Sequence, residues 1–415
     1  MQQFTEDTLA AARAETRGTS PGPGRIIFAG TPEIAATALR TLLRSGAEVA
    51  AVLTRPDAPV GRRRKLTPSP VAQVAEEAGI PVIKADRVDA EVTAELTALE
   101  ATLGVVVAYG ALLPTPALEA PARGWVNLHY SRLPLHRGAA PVPHTMLAGQ
   151  TETAATVFQL ERGMDTGPIH GTCSHQIAEA SSAGTVLEEL TALGASLLMV
   201  LLPDLLAGRS TPQEQVGDPS YAPKLTSEDA FIDPRRPAAE LVHRINATIP
   251  EPGAWTLSGD QRIKLGVARL YRPEPSAGAA PDQLQATDPA VPETRVEVGQ
   301  VCQLDPEHPG AGTLIGFRAG DGADVVLTSV QPSGKQMLNA ADWYRGLQET
   351  VLLGGPEQER PEQVLPDGTH PDEAHPEPTE ATAPATAPAT APAAATGQAP
   401  STPSTPPTPM EERTR

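Results

Sequence analysis

A doubly wound, mostly parallel α/β domain followed by a small β-barrel domain is the architecture this 415-residue sequence predicts. Two patterns carry that reading. From Arg25 onward, short apolar runs alternate with segments of helical period, the rhythm of a parallel sheet covered by helices on both faces. Beyond residue 225 the chain changes to short alternating strands, such as 313–317 and 325–330, which is how small barrels of the OB type read.

Residues 1–24 are polar, end in Ser20-Pro21-Gly22-Pro23-Gly24 and lack the apolar centre of a signal peptide, so a disordered leader is expected. The first domain is placed at 25–206. Residues 26–29 form a buried strand entering Gly30-Thr31-Pro32, where Thr31 can cap a helix and Pro32 suits its first turn. That helix runs to about Ser45-Gly46 and is followed by a strand at 49–53. A helix at 71–78, a strand at 81–83, a helix at 90–99 and strands at 105–108 and 126–130 continue the alternation. Segments 155–160 and 169–177 read as antiparallel edge strands. In 183–206, Val186, Leu190, Leu193, Leu197, Val200 and Leu201 recur at helical spacing. A polar connector occupies 207–224, and the barrel domain 225–350 opens with a helix near 238–245. An insertion at 273–292, rich in Pro, Ala and acids, is expected to be mobile. The Pro/Ala/Thr repeats of 351–415, as in Thr382-Ala383-Pro384-Ala385, cannot bury a core and are expected to be disordered.

The formal charge of −18 argues at first sight against a nucleic-acid partner, but it is unevenly spread. Residues 351–415 contain ten acids and three arginines, whereas Arg62-Arg63-Arg64-Lys65 is a compact basic block. Cys173 and Cys302 are far apart and lack metal-ligand spacing, which fits a reducing compartment. With no apolar run near the roughly 18 residues of a membrane span, a soluble cytoplasmic protein is expected. Gly30-Thr31-Pro32-Glu33 lacks the glycine spacing of a dinucleotide site, and no metal is called for.

The residues richest in chemistry lie in Asn127-Leu128-His129-Tyr130-Ser131-Arg132-Leu133-Pro134, followed by Arg137-Gly138 and Met164-Asp165-Thr166-Gly167. On a strand, positions two apart share a face, so Asn127 and His129 would point at one substrate. Ser131, Pro134 and Gly138 then interrupt regular structure and leave that face at the open end of a sheet. Asp165, between Gly163 and Gly167, is a third member delivered by a loop. In isolation an Asn-x-His pair more often satisfies loop backbone than performs chemistry; the surrounding pattern argues otherwise.

Over roughly residues 25–350 the chain resembles the methionyl-tRNA formyltransferases. The wider folate-dependent formyltransferase superfamily shares the Asn127/His129 pair, the turn at Ser131–Pro134, Arg137-Gly138 and Asp165-Thr166-Gly167. Three further stretches resemble the tRNA-acting branch: Phe28-Ala29-Gly30-Thr31-Pro32, Arg55-Pro56-Asp57 with Gly61 to Val71, and Leu327 to Lys335. Two positions depart from the pattern, Tyr130 in place of Gly and Arg132 in place of Leu.

The resemblance implies transfer of a formyl group from 10-formyltetrahydrofolate to the α-amino group of initiator methionyl-tRNA. Asn127 would donate to the developing oxyanion, His129 would carry protons and Asp165 would orient His129. Tyr109, Gly110 and Leu112, at the end of the 105–108 strand, would line the folate slot together with Ser131, Arg132, Leu133 and Pro134. Arg62, Arg63, Arg64 and Lys65, with Lys224 and Lys335, would meet tRNA phosphates, although a lone basic run is usually a solvated loop. A monomer without membrane contact is implied. A sugar-nucleotide or purine-precursor formyltransferase would share Asn127, His129 and Asp165, but not the basic loop together with the barrel. A non-catalytic RNA- or folate-binding paralogue would be expected to have lost one of the three.

Overall fold

Successive residues of the first apolar run enter opposite cores. Ile26 and Phe28 pack against helices on one side of a sheet, Ile27 and Ala29 against helices on the other, so this strand is covered on both faces. The computed structural model describes residues 2–16, 21–61, 64–273, 296–304 and 313–355. The insertion expected at 273–292, past its first residue, and the tail past 355 lie outside them.

The first part comprises β1 (Gln2–Phe4), α1 (Glu6–Thr16), β2 (Arg25–Gly30), α2 (Glu33–Arg44), β3 (Glu48–Thr54), β4 (Ala58–Val60), β5 (Lys65–Thr67), α3 (Pro70–Glu77) and β6 (Val82–Lys84). It continues with α4 (Ala90–Ala98), β7 (Leu103–Val107), α5 (Thr115–Leu118), β8 (Trp125–His129), α6 (Pro141–Leu147), β9 (Glu152–Gln159), β10 (Ile169–Gln176) and α7 (Ala183–Ala207). One sheet runs in the order β1-β10-β9-β8-β7-β2-β3-β6, while β4 and β5 form a separate hairpin. Only β9 runs against its neighbours. Strand order reverses between β2 and β7, which opens a crevice at the strand C-termini where ligands of such sheets sit.

Helix starts follow local chemistry. The Ser69 hydroxyl accepts from the Ala72 N–H, Asp89 from Glu91 and Val92, and Ser182 from Thr185. Thr31 does not cap α2 as predicted; its hydroxyl donates to the Tyr109 carbonyl at 2.8 Å and ties the ends of β2 and β7 together. Contrary to the sequence reading that no apolar run nears a membrane span, α7 is by length and composition able to cross one, with a mean hydropathy of 1.9. Its Val186, Leu190, Leu197 and Leu201 are instead buried against the sheet.

Three sequence expectations need correction. Residues 2–16 are not a disordered leader: β1 pairs in parallel with Gly171–Cys173 of β10, and α1 buries Leu9 to 1% exposure in the main core. Arg13 donates to Ser196 on α7, and His175 lies 2.8 Å from Glu6 and 3.0 Å from Glu189. One buried leucine and three paired backbones leave no periodic trace in a polar stretch. Neither predicted edge strand lies at an edge: β9 sits between β8 and β10, and β1 covers part of β10. Residues 351–355 are not part of a disordered tail either. Leu353 is buried in the second core, and its N–H donates to the Gly299 carbonyl at 2.8 Å.

The second part contains α8 (Ala238–Ala247), β11 (Trp255–Ser258), β12 (Gln261–Leu265), β13 (Ala268–Leu270), β14 (Val301–Leu304), β15 (Leu314–Arg318), β16 (Asp324–Leu327), β17 (Ser329–Pro332), β18 (Leu338–Asn339) and α9 (Ala340–Arg345). Its strands form two antiparallel sheets, β11-β12-β17-β18 and β13-β16-β15-β14. The run predicted as one strand at 325–330 turns a corner at Thr328 and serves both sheets, which lets Val325, Leu327 and Val330 share one core. Asn246 of α8 bonds both the N–H and the carbonyl of Ala268, at 2.9 and 2.8 Å, fixing the helix to this second core.

Leu9→Ala should cost the docking of α1 about 2–5 kcal/mol, the usual cost of such a cavity. Hydrogen exchange reads this as lost protection across β1 and α1, and unchanged protection would show that the segment is held by other contacts. A second expectation concerns pH. His170 is buried between Ser210 and Gln159, and burial pushes it down from 6.5 to about 4. The unfolded chain therefore binds the extra proton first. The stabilisation from keeping His170 neutral is complete above its ordinary pKa and is lost as pH falls towards its folded value. His170→Gln should flatten the fall in unfolding free energy between about pH 7 and about pH 5, measured by urea titration; an unaltered slope would assign the acid sensitivity elsewhere.

Candidate active site

Register on β8 begins with Trp125. Its ring is fully buried, the indole N–H donates to the Ala117 carbonyl at 2.8 Å, and Gly104 lies opposite on β7. A Cβ at Gly104 would sit 2.1 Å from that ring, so only glycine admits it. With Trp125 held there, strand alternation sends Asn127 and His129 to the same face, while Val126, Leu128 and Tyr130 enter the core against α7. Tyr130 therefore faces away from the site. Burial pushes its phenol up to about 12, with Thr191 at 3.5 Å.

Asn127 lies between Val106 of β7 and Phe158 of β9 and is partly exposed, yet its Oδ1 is buried without a hydrogen-bond partner. Two residues on, His129 is 6% exposed and stands edge-on to the Phe158 ring. Its Nε2 contacts the His136 carbonyl at 3.0 Å, and Nδ1 is 3.8 Å from Oδ2 of Asp165. A carbonyl only accepts, so Nε2 carries the proton and Nδ1 is the free basic nitrogen. Burial pulls the His129 pKa down, while the Asp165 carboxylate and the His136 carbonyl oppose that shift. The result is a neutral imidazole whose charged form has a carboxylate waiting.

Asp165 is itself held. Its Oδ2 accepts from the Gly138 N–H at 2.7 Å, and its backbone is left-handed, with φ of 51°. Gly138 has φ of 122°, and a Cβ there would meet the Ala222 carbonyl at 2.9 Å, so the turn needs glycine. The connector predicted as a mere polar link lies along this turn. Arg137 exchanges backbone bonds with Ser220 and Ala222 at 2.8 and 2.7 Å, and Ser220 Oγ accepts from the His136 N–H at 2.9 Å. Gln215 reaches Asp165, Gly167 and Arg137 from the same connector. Sequence reasoning passed over His136, Gln215 and Ser220, and no local pattern marks them.

The structure brings together Asn127, His129 and Asp165 and distributes the other candidates around them. Ser131 is buried and spends its hydroxyl on the Leu135 carbonyl at 2.6 Å; Leu133 packs with Phe158 and Ile169. Pro134 is buried, its carbonyl 3.4 Å from the Ser220 N–H. Arg132 is engaged by Glu152 and Ser174 on β9 and β10. Tyr109 is buried beneath the sheet edge, its hydroxyl donating to the Ala85 carbonyl at 2.7 Å, which leaves only its backbone facing the crevice loops. Arg55 bridges the Asp86 and Gly110 carbonyls, at 3.2 and 3.1 Å, and Leu112 is 83% exposed. A separate cleft of about 360 Å³, lined by Leu135, His136, Gln150 and Thr153, lies behind the turn and includes none of the three central residues.

Arg62 and Arg63 lie outside the described residues. Gly61 and Arg64, on either side of them, stand at the end of the β4–β5 hairpin, with Arg64 and Lys65 exposed. Paired strands β4 and β5 thus flank a block that, as a lone basic run, suggests only a solvated loop. Lys224 is exposed two residues beyond Ala222, and Lys335 is exposed in the turn after β17.

Comparison with known proteins identifies the family. Residues 24–202 match the formyl transferase family and residues 224–348 its C-terminal domain. A methionyl-tRNA formyltransferase of Paenarthrobacter aurescens (strain TC1) is 46% identical over 323 residues, covering 78% of this chain and 97% of the relative. One from Arthrobacter sp. (strain FB24) is 46% identical over 322 residues, covering 78% and 96%. Among solved structures, an N-formyltransferase from Helicobacter canadensis in complex with folinic acid and dTDP-3-aminofucose shares the fold, with a TM-score of 0.52 and 16% identity over 73% of this chain and 98% of its own. The chain belongs to the methionyl-tRNA formyltransferase family.

Proposed function

We propose that Asn127, His129 and Asp165 carry formyl transfer from 10-formyltetrahydrofolate to the α-amino group of methionyl-tRNA, which supplies formylmethionyl-tRNA for translation initiation. The observation behind this reading is the convergence of the three at the C-terminal edge of the sheet, with a buried, unpartnered amide atom on Asn127. That atom fits a ligand: rotating the carboxamide by half a turn exchanges Oδ1 and Nδ2, so the same buried position can offer an N–H.

The folate supplies an activated formyl group on N10. Asn127 is the donor for a formyl oxygen gaining negative charge. His129 Nδ1, unprotonated near neutral pH because it is buried, is the group able to hold the proton lost by the amine. Asp165 stabilises the imidazolium so formed, which can then return a proton to N10. Backbone groups of Tyr109 and Gly110, with Leu112 and the Ser131–Pro134 turn, would hold the folate. The protein would act as a monomer in the cytoplasm, where aminoacylated tRNA is made.

The direct test is formyl transfer from 10-formyltetrahydrofolate to methionyl-tRNA, set against free methionine, uncharged tRNA and an amino-sugar nucleotide. Asn127→Ala should lower kcat about 100- to 1000-fold, as loss of an oxyanion donor does. His129→Ala and Asp165→Asn should cause comparable, non-additive losses because they act as a unit. A folded Asn127 variant with normal turnover would sink this mechanism.

The basic block supports a tRNA contact, since Arg62-Arg63-Arg64-Lys65 concentrates cations in an acidic chain soon after β3. Replacing Arg62, Arg63 or Arg64 by Ala should lower kcat/KM for tRNA while leaving the folate KM unchanged. Each lost phosphate contact should reduce the salt slope of binding by about one. Arg62, directly after Gly61, is the residue we favour for a base-edge contact, worth about 1–3 kcal/mol of discrimination between initiator and elongator methionyl-tRNA. Unaltered tRNA kinetics in all three variants across a salt series would return the block to an ordinary solvated surface.

A further inference from the structure

We infer that Gln215, in the connector between the two domains, is a positioning residue that sets where the Asp165 carboxylate stands relative to His129. Its amide is fully used at one place. Nε2 donates to the carbonyls of Asp165 and Gly167, at 2.7 and 2.9 Å, and Oε1 accepts from Nη2 and Nε of Arg137, at 2.7 and 3.2 Å. The two carbonyls flank Thr166, so the amide fixes the curvature of the loop that presents Asp165. That loop needs holding, because Asp165 is a non-glycine residue with φ of 51°, a conformation that persists only when its surroundings impose it.

The contacts close a circuit. Gln215 ties the Asp165 backbone to Arg137, and Arg137 is followed by Gly138. The Gly138 N–H then returns to Asp165 Oδ2 at 2.7 Å. Arg137 is in turn fixed to the connector by its backbone bonds to Ser220 and Ala222. The carboxylate is thereby gripped from its own main chain and from its oxygen, 3.8 Å from His129 Nδ1. Glutamine suits this place because it donates two hydrogens and accepts two at once; a glutamate would keep Arg137 but offer the two carbonyls no hydrogens. A displacement of about 1 Å in such a group can cost about 100-fold in rate.

This inference rests on reading His129 and Asp165 as the proton-handling pair, and the experiment separates the two. Gln215→Glu and Gln215→Met should lower kcat about 10- to 100-fold, with the KM for 10-formyltetrahydrofolate changed less than about threefold. The Asp165 carboxylate raises the His129 pKa against burial. Loosening it should therefore move the acid limb of the kcat profile to lower pH, in the direction taken by Asp165→Asn. Titration of His129 followed by NMR gives the same shift without turnover, and Gln215→Glu carries the test should Gln215→Met fail to fold. A loss of kcat with the acid limb and the His129 titration unmoved, or full activity in a folded variant, would overturn the role of Gln215. An active Asp165→Asn enzyme would overturn the underlying reading instead.

Discussion

The site depends on the register of β8. A slip of one residue would turn Asn127 and His129 into the α7 core and bring Leu128 to the crevice. What forbids the slip is steric and lies at the other end of the strand, where the Trp125 ring occupies the space that Gly104 leaves free. Alternation then carries that constraint along the strand to the two polar side chains. Glycine and tryptophan perform no chemistry here, yet they determine which side chains can.

A second constraint is electrostatic. Among the described residues, His129 is the buried imidazole that combines a donated bond to a main-chain carbonyl with a carboxylate near its other nitrogen. Burial alone would make it a poor base, because the protonated form is disfavoured, and a nearby carboxylate in water would leave it largely protonated. The two effects oppose each other, and Asp165 stands beyond direct hydrogen-bond distance. Left-handed backbone at both His136 and Asp165, with φ of 58° and 51°, lies at the two points that set this balance.

Elements with strong periodicity, such as β2, β7, β8 and α7, can be read from the sequence because burial on defined faces writes a pattern of period two or 3.6. The pairing of Asn127 with His129 is readable for the same reason. Asp165 is readable only as a loop residue between two glycines, and its place 3.8 Å from His129 is set by the fold. What the sequence hides is contact without periodicity. Gln215 meets Asp165 across 50 residues from within a polar stretch, and nothing about a glutamine among prolines and acids signals that role. The segment 2–16 hides for a related reason, since it docks through one leucine and a few backbone and polar contacts. Residues 351–355 hide because Val351, Leu352 and Leu353 are too few to write a period before the tail begins.

The main sheet ends on each side in a strand of three residues, β1 and β6. Strand β10, by contrast, runs for eight residues and is relieved of being the outermost one by β1. A chain lacking its first twenty or so residues would expose main-chain donors and acceptors at Gly171 to Cys173, a template onto which a second copy could add a strand. Lys84 places a charge at the opposite edge, in β6. The N-terminal segment thus bears on colloidal behaviour as well as on folding: where translation starts would influence whether the protein stays dispersed at high concentration.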